Sequence, residues 1–594
     1  MSSPRPRRAS SKSDGELVTR ANPLEPTARK KLGLALSGGG FRTALFHIGT
    51  LLRLAELGVL KHVQVLSTVS GGSIVGAAFY LRLLKRMEEV GGPLTDKDLI
   101  WVVEELASTF PAGVAKNVRV RTFTSYPRNV EMSQADYSRS DRVAELYDRY
   151  FLDGILGAEQ VTMKDLGTRL QRLPGGSPAD GAMPDLLINA TSLNTGRVWR
   201  FSNVTMGEAP VAGQAADIDR VTRFVRPGRY EDLTAPRPAD VPLSIAIAAS
   251  SALPGGLHPM SISDMYEGIR IQLVDGGVHD NQGVQSLISA ECTEFVVSDT
   301  GGQMMAEEHA RTSLLSVLLR APQVLYGRVR QEQLMRASER RVHGGPSPLA
   351  LVHLRRGTSV DLVTPRGLAA PGGREPDPEG GTSSGFGVAP DVMEMLADLR
   401  TDLDSFTEVE SKSLMSAGYL VTGPVVADPE WSGNGYLSGE AAPADGSVLG
   451  LHDVAPYLLH PSKEFLRQLD IGGQRFFKVF RLYPAAGAVL LGLVLALAGW
   501  AGWTLFRHWE SDVPLGWLIV GVLAIAAVIW VPMTTWGAKL LDTPVATAVR
   551  WIRNVLIVGP VTWIWSNAYL WAFEGLFRRA GSLRRVWIKG PPAA

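Results

Sequence analysis

Apolar residues near the start of the chain form short runs, each followed by a longer segment with helical spacing. The run LGLALS (residues 32–37) precedes a segment (41–57) whose apolar positions recur every three or four residues, and VQVLST (63–68) precedes another. A repeated order of strand, turn and helix predicts parallel strands joined by right-handed crossovers, and hence an α/β fold. Further strands are predicted at residues 185–193, 271–277, 294–300 and 349–354.

The C-terminal part has a different pattern. Residues 484–506 and 513–535 are two stretches of 23 residues without a charge, and about 20 apolar residues suffice to cross a bilayer as a helix. A buried helix pair in a soluble protein is the alternative. Eleven of the 14 tryptophans lie between Trp500 and Trp587, as expected where indoles sit at membrane interfaces. Two transmembrane spans are therefore predicted, within a membrane domain at residues 476–594.

A third uncharged segment, residues 555–573, could cross, re-enter or lie along the interface. Basic residues flank the two spans on one side, whereas Arg507 stands alone in the loop between them. By the positive-inside rule, the N-terminal bulk is then cytoplasmic, and a crossing third segment would export the basic C-terminus. An interfacial or re-entrant third segment is therefore predicted. The basic residues are Arg475, Lys478, Arg481, Lys539, Arg550 and Arg553 around the spans, and Arg578, Arg579, Arg584, Arg585 and Lys589 at the C-terminus.

The overall composition argues against several classes of protein. The formal net charge of the 594 residues is +1, so no strong field points to a nucleic-acid partner. Cys292 is the single cysteine and no Cys/His cluster has zinc spacing, which predicts a reducing compartment and no structural metal. Residues 1–30 are basic and lack the apolar core of a signal peptide, which indicates a disordered cytoplasmic tail.

Three stretches of the predicted catalytic domain, residues 31–475, stand apart from the strand and helix pattern. Residues 357–389 and 439–446 are rich in Pro, Gly and charge, as surface insertions are, and the first is a candidate lid. Residues 311–341 are rich in Arg and Leu at helical spacing. This segment is predicted to be an amphipathic core helix, and the alternative is a helix that presses on anionic lipid or covers the site.

A glycine-rich turn, SGGGFR (residues 37–42), closes the first strand and opens the first helix. Backbone N–H groups in such a turn can converge on an anion, and the helix dipole adds favourable potential. A nucleotide-binding loop is the rival, but Gly39 and Gly40 stand where it needs Lys and Ser/Thr, and Thr43 replaces the last glycine of the dinucleotide pattern. The remaining role is an oxyanion hole for acyl transfer.

The second predicted strand ends in TVSGG (residues 68–72), a sharp turn that would hold Ser70 above the sheet as a nucleophile. Taken alone, the same turn is also typical of a loop or a helix cap. A serine hydroxyl needs a base, and Asp275 ends a later strand with two glycines behind it, so it can approach Ser70 closely. An ordinary Asp-Gly turn is the alternative for Asp275.

Together, these motifs resemble those of the bacterial patatin-like phospholipases, which are related to animal cytosolic phospholipase A2. The three family marks are G-G-G-x-R/K-G, G-x-S-x-G and D-G-G/A, and residues 38–42, 69–72 and 275–277 match them in the same order. Supporting likenesses lie at residues 189–203 and 248–255 and at Asn281, and the likeness spans about residues 31–419. The resemblance implies a patatin-like three-layer α/β/α domain with a mostly parallel central sheet.

The resemblance also implies a mechanism. Ser70 and Asp275 would act as a catalytic dyad, without metal or cofactor, on a membrane phospholipid or another acyl lipid. With the two predicted spans and the distribution of basic residues, it predicts a multi-pass protein of the bacterial inner membrane with a cytoplasmic catalytic domain. An unrestrained phospholipase would harm its own membrane, so we expect restraint by a lid, partner or signal. Arg42 would orient the glycine turn, meet a phosphate headgroup, or form a surface ion pair. The expected oxyanion and substrate-binding positions are Gly38, Gly39, Gly40, Arg42 and Gly71.

Two residues depart from the family pattern. Thr43 replaces the glycine that closes the oxyanion motif, and Thr68 replaces the first glycine of the elbow, where its methyl group needs space against a neighbouring helix. His279 is too close to Asp275 in sequence to complete a triad, and His47 is predicted to be a packing or interfacial residue. The alternatives to a phospholipase are a membrane-anchored lipid-binding scaffold or pseudoenzyme, and an esterase or thioesterase acting on other acyl substrates.

Overall fold

The structure, a computed structural model, describes residues 30–590 with gaps. Most of the predicted insertions, the N-terminal tail, most of the first predicted span and the whole of the second lie outside the described residues. The residues not described are 1–29, 133–136, 158–159, 175–182, 210–222, 303, 305–306, 308, 343–344, 359–385, 438–445, 475–477, 486–487, 489–491, 493–494, 497–498, 501, 504–554, 556–557 and 591–594.

Nine of the described strands form one mixed sheet, in the order β11-β8-β1-β2-β3-β4-β5. The strands from β11 to β3 are parallel, whereas β4, β5, β6 and β7 are antiparallel to their neighbours. β7 pairs with β3 and β6, and β9 and β10 form a separate ribbon. The strands are β1 Leu32–Leu36, β2 Val63–Val69, β3 Asp185–Ser192, β4 Val198–Ser202, β5 Met206–Glu208, β6 Met260–Tyr266, β7 Ile269–Asp275, β8 Glu294–Asp299, β9 Arg341–Val342, β10 Gly345–Pro346 and β11 Leu349–His353.

The helices connect the strands and continue beyond the sheet to the C-terminus. The described α-helices are α1 Gly40–Glu56, α2 Gly71–Val90, α3 Asp96–Val114, α4 Val118–Arg121, α5 Tyr126–Glu131, α6 Arg139–Tyr147, α7 Met163–Arg172, α8 Pro236–Ala239, α9 Leu243–Ser250, α10 Gly277–Asp280, α11 Val284–Ser289, α12 Leu314–Glu339, α13 Pro390–Asp398, α14 Glu408–Ala427, α15 Pro429–Ser432, α16 Leu451–Leu459, α17 Lys463–Gly473, α18 Lys478–Leu482, α19 Gly559–Tyr569, α20 Gly575–Ala580 and α21 Leu583–Lys589.

Side-chain alternation along the central strands produces a core on each face of the sheet. Leu34 and Leu36 of β1 point to the larger core, which α1, α2 and α14 complete. Ala35 and Val65 point to the opposite face, where they pack with Leu287 of α11. Because successive residues of a strand face opposite sides, one apolar run supplies both cores. The domain therefore has helices on both faces of a mostly parallel sheet, as predicted.

One predicted strand, β7, runs antiparallel to its neighbour in the sheet, whereas the sequence pattern predicted parallel strands. β7, which ends at Asp275, runs antiparallel to β3 and overlaps it over three residue pairs, with Asp275 opposite Ala190. The hairpin with β6 supplies its other neighbour. Asp275 therefore reaches the C-terminal half of β3 from the side of the sheet, not as the end of a parallel strand.

The third apolar segment of the sequence contains α19, which packs against the domain of the central sheet near α5. The Asn129 side-chain amide donates to Thr562 Oγ1 (3.2 Å), and the Asn567 amide donates to the Thr124 carbonyl (3.3 Å). Among the helices that the structure describes, none has both the length and the apolar character required to cross a membrane. The two predicted spans remain predictions from the sequence.

Buried charges join the C-terminal region to the loop before α14. Lys478 Nζ lies 2.5 Å from Asp404 Oδ2, and Arg400 Nη1 lies 2.5 Å from Glu410 Oε1. All four side chains are almost fully buried. Charges removed from water are tolerated only when they are paired, so these pairs hold the loop at residues 399–407 in one position beside the glycine turn.

Candidate active site

Ser70 lies at the junction of β2 and α2 in a strained backbone conformation. Its φ and ψ angles are 50° and −117°, a region that a residue with a Cβ enters at a cost of about 1–3 kcal/mol. The Ser70 amide donates to Ser250 Oγ (2.9 Å), which holds the turn from the side of α9. Such a strand-to-helix turn holds a serine hydroxyl at the edge of the sheet, as a nucleophile requires.

Asp275 is buried beside Ser70. One of its carboxylate oxygens accepts a hydrogen bond from the Gly277 amide (2.7 Å). Burial raises the pKa of Asp275 to about 6, although the Gly277 amide and the Ser70 side chain partly oppose that rise. A carboxyl group with this pKa is ionised at neutral pH and accepts a proton more readily than an exposed aspartate. The structure thus brings together the two residues predicted to react.

The glycine turn contributes backbone amides to the same place. Gly39 and Gly40 have φ angles of 144° and 63° and line the cavity that contains Ser70 and Asp275. Among the described residues, no group accepts a hydrogen bond from the amides of Gly39, Gly40 or Gly71. Amides in this position are available to an oxyanion. Gly71 follows Ser70 directly as the first residue of α2.

Gly38 does not fit the role predicted for it. Its amide donates to the Asn281 carbonyl (2.9 Å), so it is not available to a substrate oxyanion. A Cβ at Gly38 would lie 2.4 Å from Asn281 Oδ1 and 3.1 Å from the Ser70 Cβ. Gly38 is therefore required for close packing between the turn, the elbow and Asn281.

Arg42 is also not a cavity residue. Its guanidinium is buried and donates to the carbonyls of Ala397, Leu399 (3.0 Å) and Thr300 (2.6 Å). Burial lowers the pKa of Arg42 to about 10. These contacts exclude a surface ion pair and leave its main donors engaged with backbone, so Arg42 orients the turn and does not meet a phosphate headgroup.

The two threonines that depart from the family pattern are accommodated by specific contacts. Thr43 Oγ1 donates to the Gly38 carbonyl (3.2 Å) and contacts Thr300 Oγ1. Thr68 directs its methyl group at α2, where a Cβ on Gly76 would lie only 2.6 Å from it. Gly76 therefore leaves room for the methyl group of Thr68, and Thr43 adds one hydrogen bond to the glycine turn.

Neither histidine completes a triad. His47 is fully buried and bonds Ser298 Oγ (2.7 Å) and the Ser37 carbonyl (3.1 Å), and burial lowers its pKa to about 4. His279 lies in α10 outside the cavity lining, and burial, followed by the charge of Arg200, lowers its pKa. His47 thus packs in the core, as predicted.

A second set of polar residues, not assigned a role by the sequence, supports the elbow. Ser250 Oγ donates to the Asn189 carbonyl (2.6 Å) while it accepts from the Ser70 amide. The Asn189 side-chain amide donates to Ser67 Oγ (3.0 Å) and to the Thr68 carbonyl (2.9 Å). Both residues lie in stretches that resemble the family, but their function depends on contacts between strands that the sequence does not reveal.

The site opens into a cavity of about 710 Å³, a size usual for sites that enclose small ligands or lipid chains. Apolar side chains form much of its wall, and three arginines lie among them. The apolar lining residues are Phe123, Val143, Leu253, Leu257, Val278, Met304, Tyr326 and Leu403, and the arginines are Arg119, Arg139 and Arg330.

Residues 34–288 match the family model described as patatin-like phospholipase. This segment contains the glycine turn, the Ser70 elbow and Asp275. This part of the chain is therefore similar to the patatin-like phospholipase family, and the described residues form an α/β fold with a mixed, mostly parallel sheet. None of the curated proteins matches the chain in sequence.

Three similar solved structures have low identity and low structural scores. VipD from Legionella pneumophila is 12% identical, with coverage of 93% of this chain and 88% of VipD and a TM-score of 0.27. Human GIVD cytosolic phospholipase A2 is 14% identical, with coverage of 67% and 59% and a TM-score of 0.33. The complex of the same enzyme with methyl gamma-linolenyl fluorophosphonate is 17% identical, with coverage of 67% of this chain and 58% of that chain and a TM-score of 0.30. The chain thus spans less than two thirds of the human enzyme.

The contact between Thr68 and Gly76 predicts a compensating pair of substitutions. Gly76→Ala places a Cβ 2.6 Å from the Thr68 methyl group. Overpacking costs about 1–3 kcal/mol, and in a domain of this size we expect the melting temperature to fall by about 1–3 °C. Thr68→Ser removes that methyl group and keeps the hydroxyl, so the double variant should recover most of the loss. Thermal unfolding of the four chains in one double-mutant cycle measures the coupling.

Gly92→Ala is the matched control, because a Cβ at Gly92 meets no atom within 4 Å. It should melt like the parent chain. If Gly76→Ala lowered the melting temperature equally in the presence and absence of the Thr68 methyl group, the packing explanation would be contradicted.

Proposed function

We propose that the chain is a lipid acyl hydrolase of the phospholipase A type, with Ser70 as nucleophile and Asp275 as base. One observation carries the proposal: three features lie together at one cavity with a largely apolar wall. They are a strained serine elbow, a buried carboxylate whose pKa is raised to about 6, and the amides of Gly39 and Gly40, which have no acceptor among the described residues. The patatin-like family match supports the same class of reaction.

In the proposed reaction, Asp275 takes the hydroxyl proton of Ser70 as the serine oxygen bonds to the ester carbonyl carbon. The carbonyl oxygen gains a negative charge, which the amides of Gly39, Gly40 and Gly71 stabilise, by about 3 kcal/mol for each well-placed donor. The tetrahedral intermediate collapses, and the leaving alcohol takes the proton from Asp275. Water, deprotonated by Asp275, then attacks the acyl-serine, and the fatty acid leaves as Ser70 recovers its proton.

Removal of either group tests the assignment. Ser70→Ala should lower the release of fatty acid from phospholipid at least about a thousandfold, since the covalent step is lost. Asp275→Asn should lower it comparably without lowering the melting temperature. Burial raises the pKa of Asp275 to about 6, well above that of an exposed aspartate, so the ionised carboxylate destabilises the fold at neutral pH and the neutral amide does not. Fatty-acid release and thermal unfolding are measured on the same preparations.

A panel of substrates separates the alternatives. Hydrolysis of soluble esters or thioesters without hydrolysis of phospholipid would favour an esterase or thioesterase. Binding of phospholipid vesicles without release of fatty acid would favour a scaffold or pseudoenzyme. Release that is unchanged in Ser70→Ala would refute the proposed nucleophile.

The raised pKa of Asp275 also predicts the pH dependence. The base must be ionised, so kcat/KM should fall tenfold per pH unit below about pH 6 and level off above it. His279→Ala should leave this acid limb unchanged, because His279 lies outside the cavity. Circular dichroism over the same pH range excludes acid unfolding as the cause. An acid limb that disappears in His279→Ala would instead assign the base to the histidine.

We further propose that the catalytic domain is anchored to a membrane by the two apolar stretches at residues 484–506 and 513–535. Both ends of this region contact the same domain. Lys478, before the first stretch, lies 2.5 Å from Asp404, and Glu574, after the second, accepts a hydrogen bond from Asn117 (2.9 Å). A return to one domain supports an even number of crossings, in agreement with the distribution of basic residues.

Reporter fusions test this topology. Alkaline phosphatase fused after Glu510, in the loop between the two stretches, should be active because the loop is exported. The same enzyme fused after the C-terminus should be inactive, and a fluorescent protein there should be fluorescent. Active phosphatase at the C-terminus would contradict the even number of crossings.

A further inference from the structure

The helix α12, Leu314–Glu339, is held to the domain by its C-terminal half. Gln333 and Ala337 are buried, and Arg330 Nε lies 3.1 Å from Asp299 Oδ2, a carboxylate that is itself buried. Asp299 ends β8, next to the strand that leads into the glycine turn. The anchored half therefore fixes the direction of the whole helix.

The N-terminal half of α12 has large apolar side chains that are exposed and that no other described residue covers. Leu314 is 78% exposed, Leu318 60% and Leu325 62%, with Val317 and Val324 similarly exposed. The prediction of an amphipathic core helix is thus wrong for this half. Soluble surfaces seldom expose so many large apolar residues together, and such a patch is typical of an interaction site.

The same half of the helix lines the mouth of the cavity. Gln323, Tyr326 and Gly327 line the cavity, and the exposed Val324 and Leu325 lie between the first two of them in the sequence. Leu253 and Met304, which also line the cavity, are 57% and 42% exposed. A binding partner that covered these apolar side chains would therefore also lie against the entrance to the site.

The charge of this segment indicates the chemistry of the binding partner. Residues 311–331 contain four arginines and no acidic residue. Arg330 and Arg320 are paired with Asp299 and Glu307, whereas Arg311 and Arg328 are exposed beside the apolar positions. A basic helix with exposed leucines is complementary to an apolar layer with a negatively charged surface, which is the chemistry of a bilayer containing anionic lipid.

We propose that the N-terminal half of α12 is an interfacial helix that inserts its leucines into an anionic bilayer and sets the cavity mouth against the lipid. The inference rests on the proposed lipid hydrolase, since it explains how an acyl chain passes from the membrane into the cavity. The occupant is the bilayer surface, not a second copy of the chain or another protein.

A fluorescent label at Leu325→Cys tests the contact directly. Cys292 is buried, and burial raises the pKa of its thiol to about 12, so it should not take up the label. The full chain is placed in nanodiscs of phosphatidylcholine with phosphatidylglycerol and a lipid carrying a nitroxide quencher. The label at Leu325 should be quenched by the lipid and shielded from aqueous iodide.

Val90→Cys is the matched control. Val90 is 45% exposed at the far end of α2, 20 residues from the elbow, or about 30 Å along the helix axis. Its label should meet iodide and not the lipid quencher. A Leu325 label that neither the nitroxide lipid nor iodide quenches would show that protein covers the helix. A label that only iodide quenches would show that the helix is exposed to water. Either result overturns the proposal.

The second test separates this inference from the proposed reaction. Leu318→Asp combined with Leu325→Asp should lower hydrolysis of lipid in anionic bilayers about tenfold and leave hydrolysis of a soluble short-chain ester unchanged, since neither residue lines the cavity. Val90→Asp should change neither rate. Unchanged hydrolysis of bilayer lipid by the double variant overturns the interfacial helix. If the parent chain hydrolyses neither substrate, the proposed reaction fails, and the quenching result still decides the inference.

Discussion

The site depends on how closely two turns approach each other. A Cβ on Gly71 would lie 2.1 Å from the Gly40 carbonyl oxygen, and a Cβ on Gly40 would lie 2.7 Å from the Asp402 carbonyl. Only glycines permit the oxyanion turn and the elbow to pack backbone against backbone. Because β1 and β2 are adjacent parallel strands, both turns lie at the same edge of the sheet, and the strain at Ser70 is maintained by the packing around it.

Burial of Asp275 has opposite effects on stability and on chemistry. An ionised carboxylate in this position costs free energy, which the Gly277 amide and the Ser70 side chain offset only in part, so its pKa remains raised. The same desolvation makes Asp275 a stronger base at neutral pH. Thr191 Oγ1 donates to the Asp275 carbonyl (2.9 Å), and the Asp275 amide donates to the Ala252 carbonyl (3.0 Å), so the backbone that carries the carboxylate is fixed on both sides.

The sequence was informative where physical signals are local. Glycine turns after short apolar runs predicted β1, β2 and both motifs, because positive φ angles and close approaches leave a mark on the residue type. It was uninformative where roles depend on distant partners. Arg42 bonds carbonyls more than 350 residues away, and Ser250 meets Ser70 across 180 residues. A short antiparallel overlap such as that of β7 also leaves no trace in hydrophobic periodicity.

The glycine turn is further linked to the C-terminal region through one loop. The Asp402 carbonyl accepts from the Phe41 amide (3.2 Å), at the start of α1. Asp404 lies two residues further along this loop. Burial alone would raise the pKa of Asp404, but the charges of Lys478 and Arg400 outweigh burial and lower it, so the carboxylate stays ionised. Paired buried charges act over short distances and fix one register. The geometry of the glycine turn is therefore set partly by residues that precede the first predicted span.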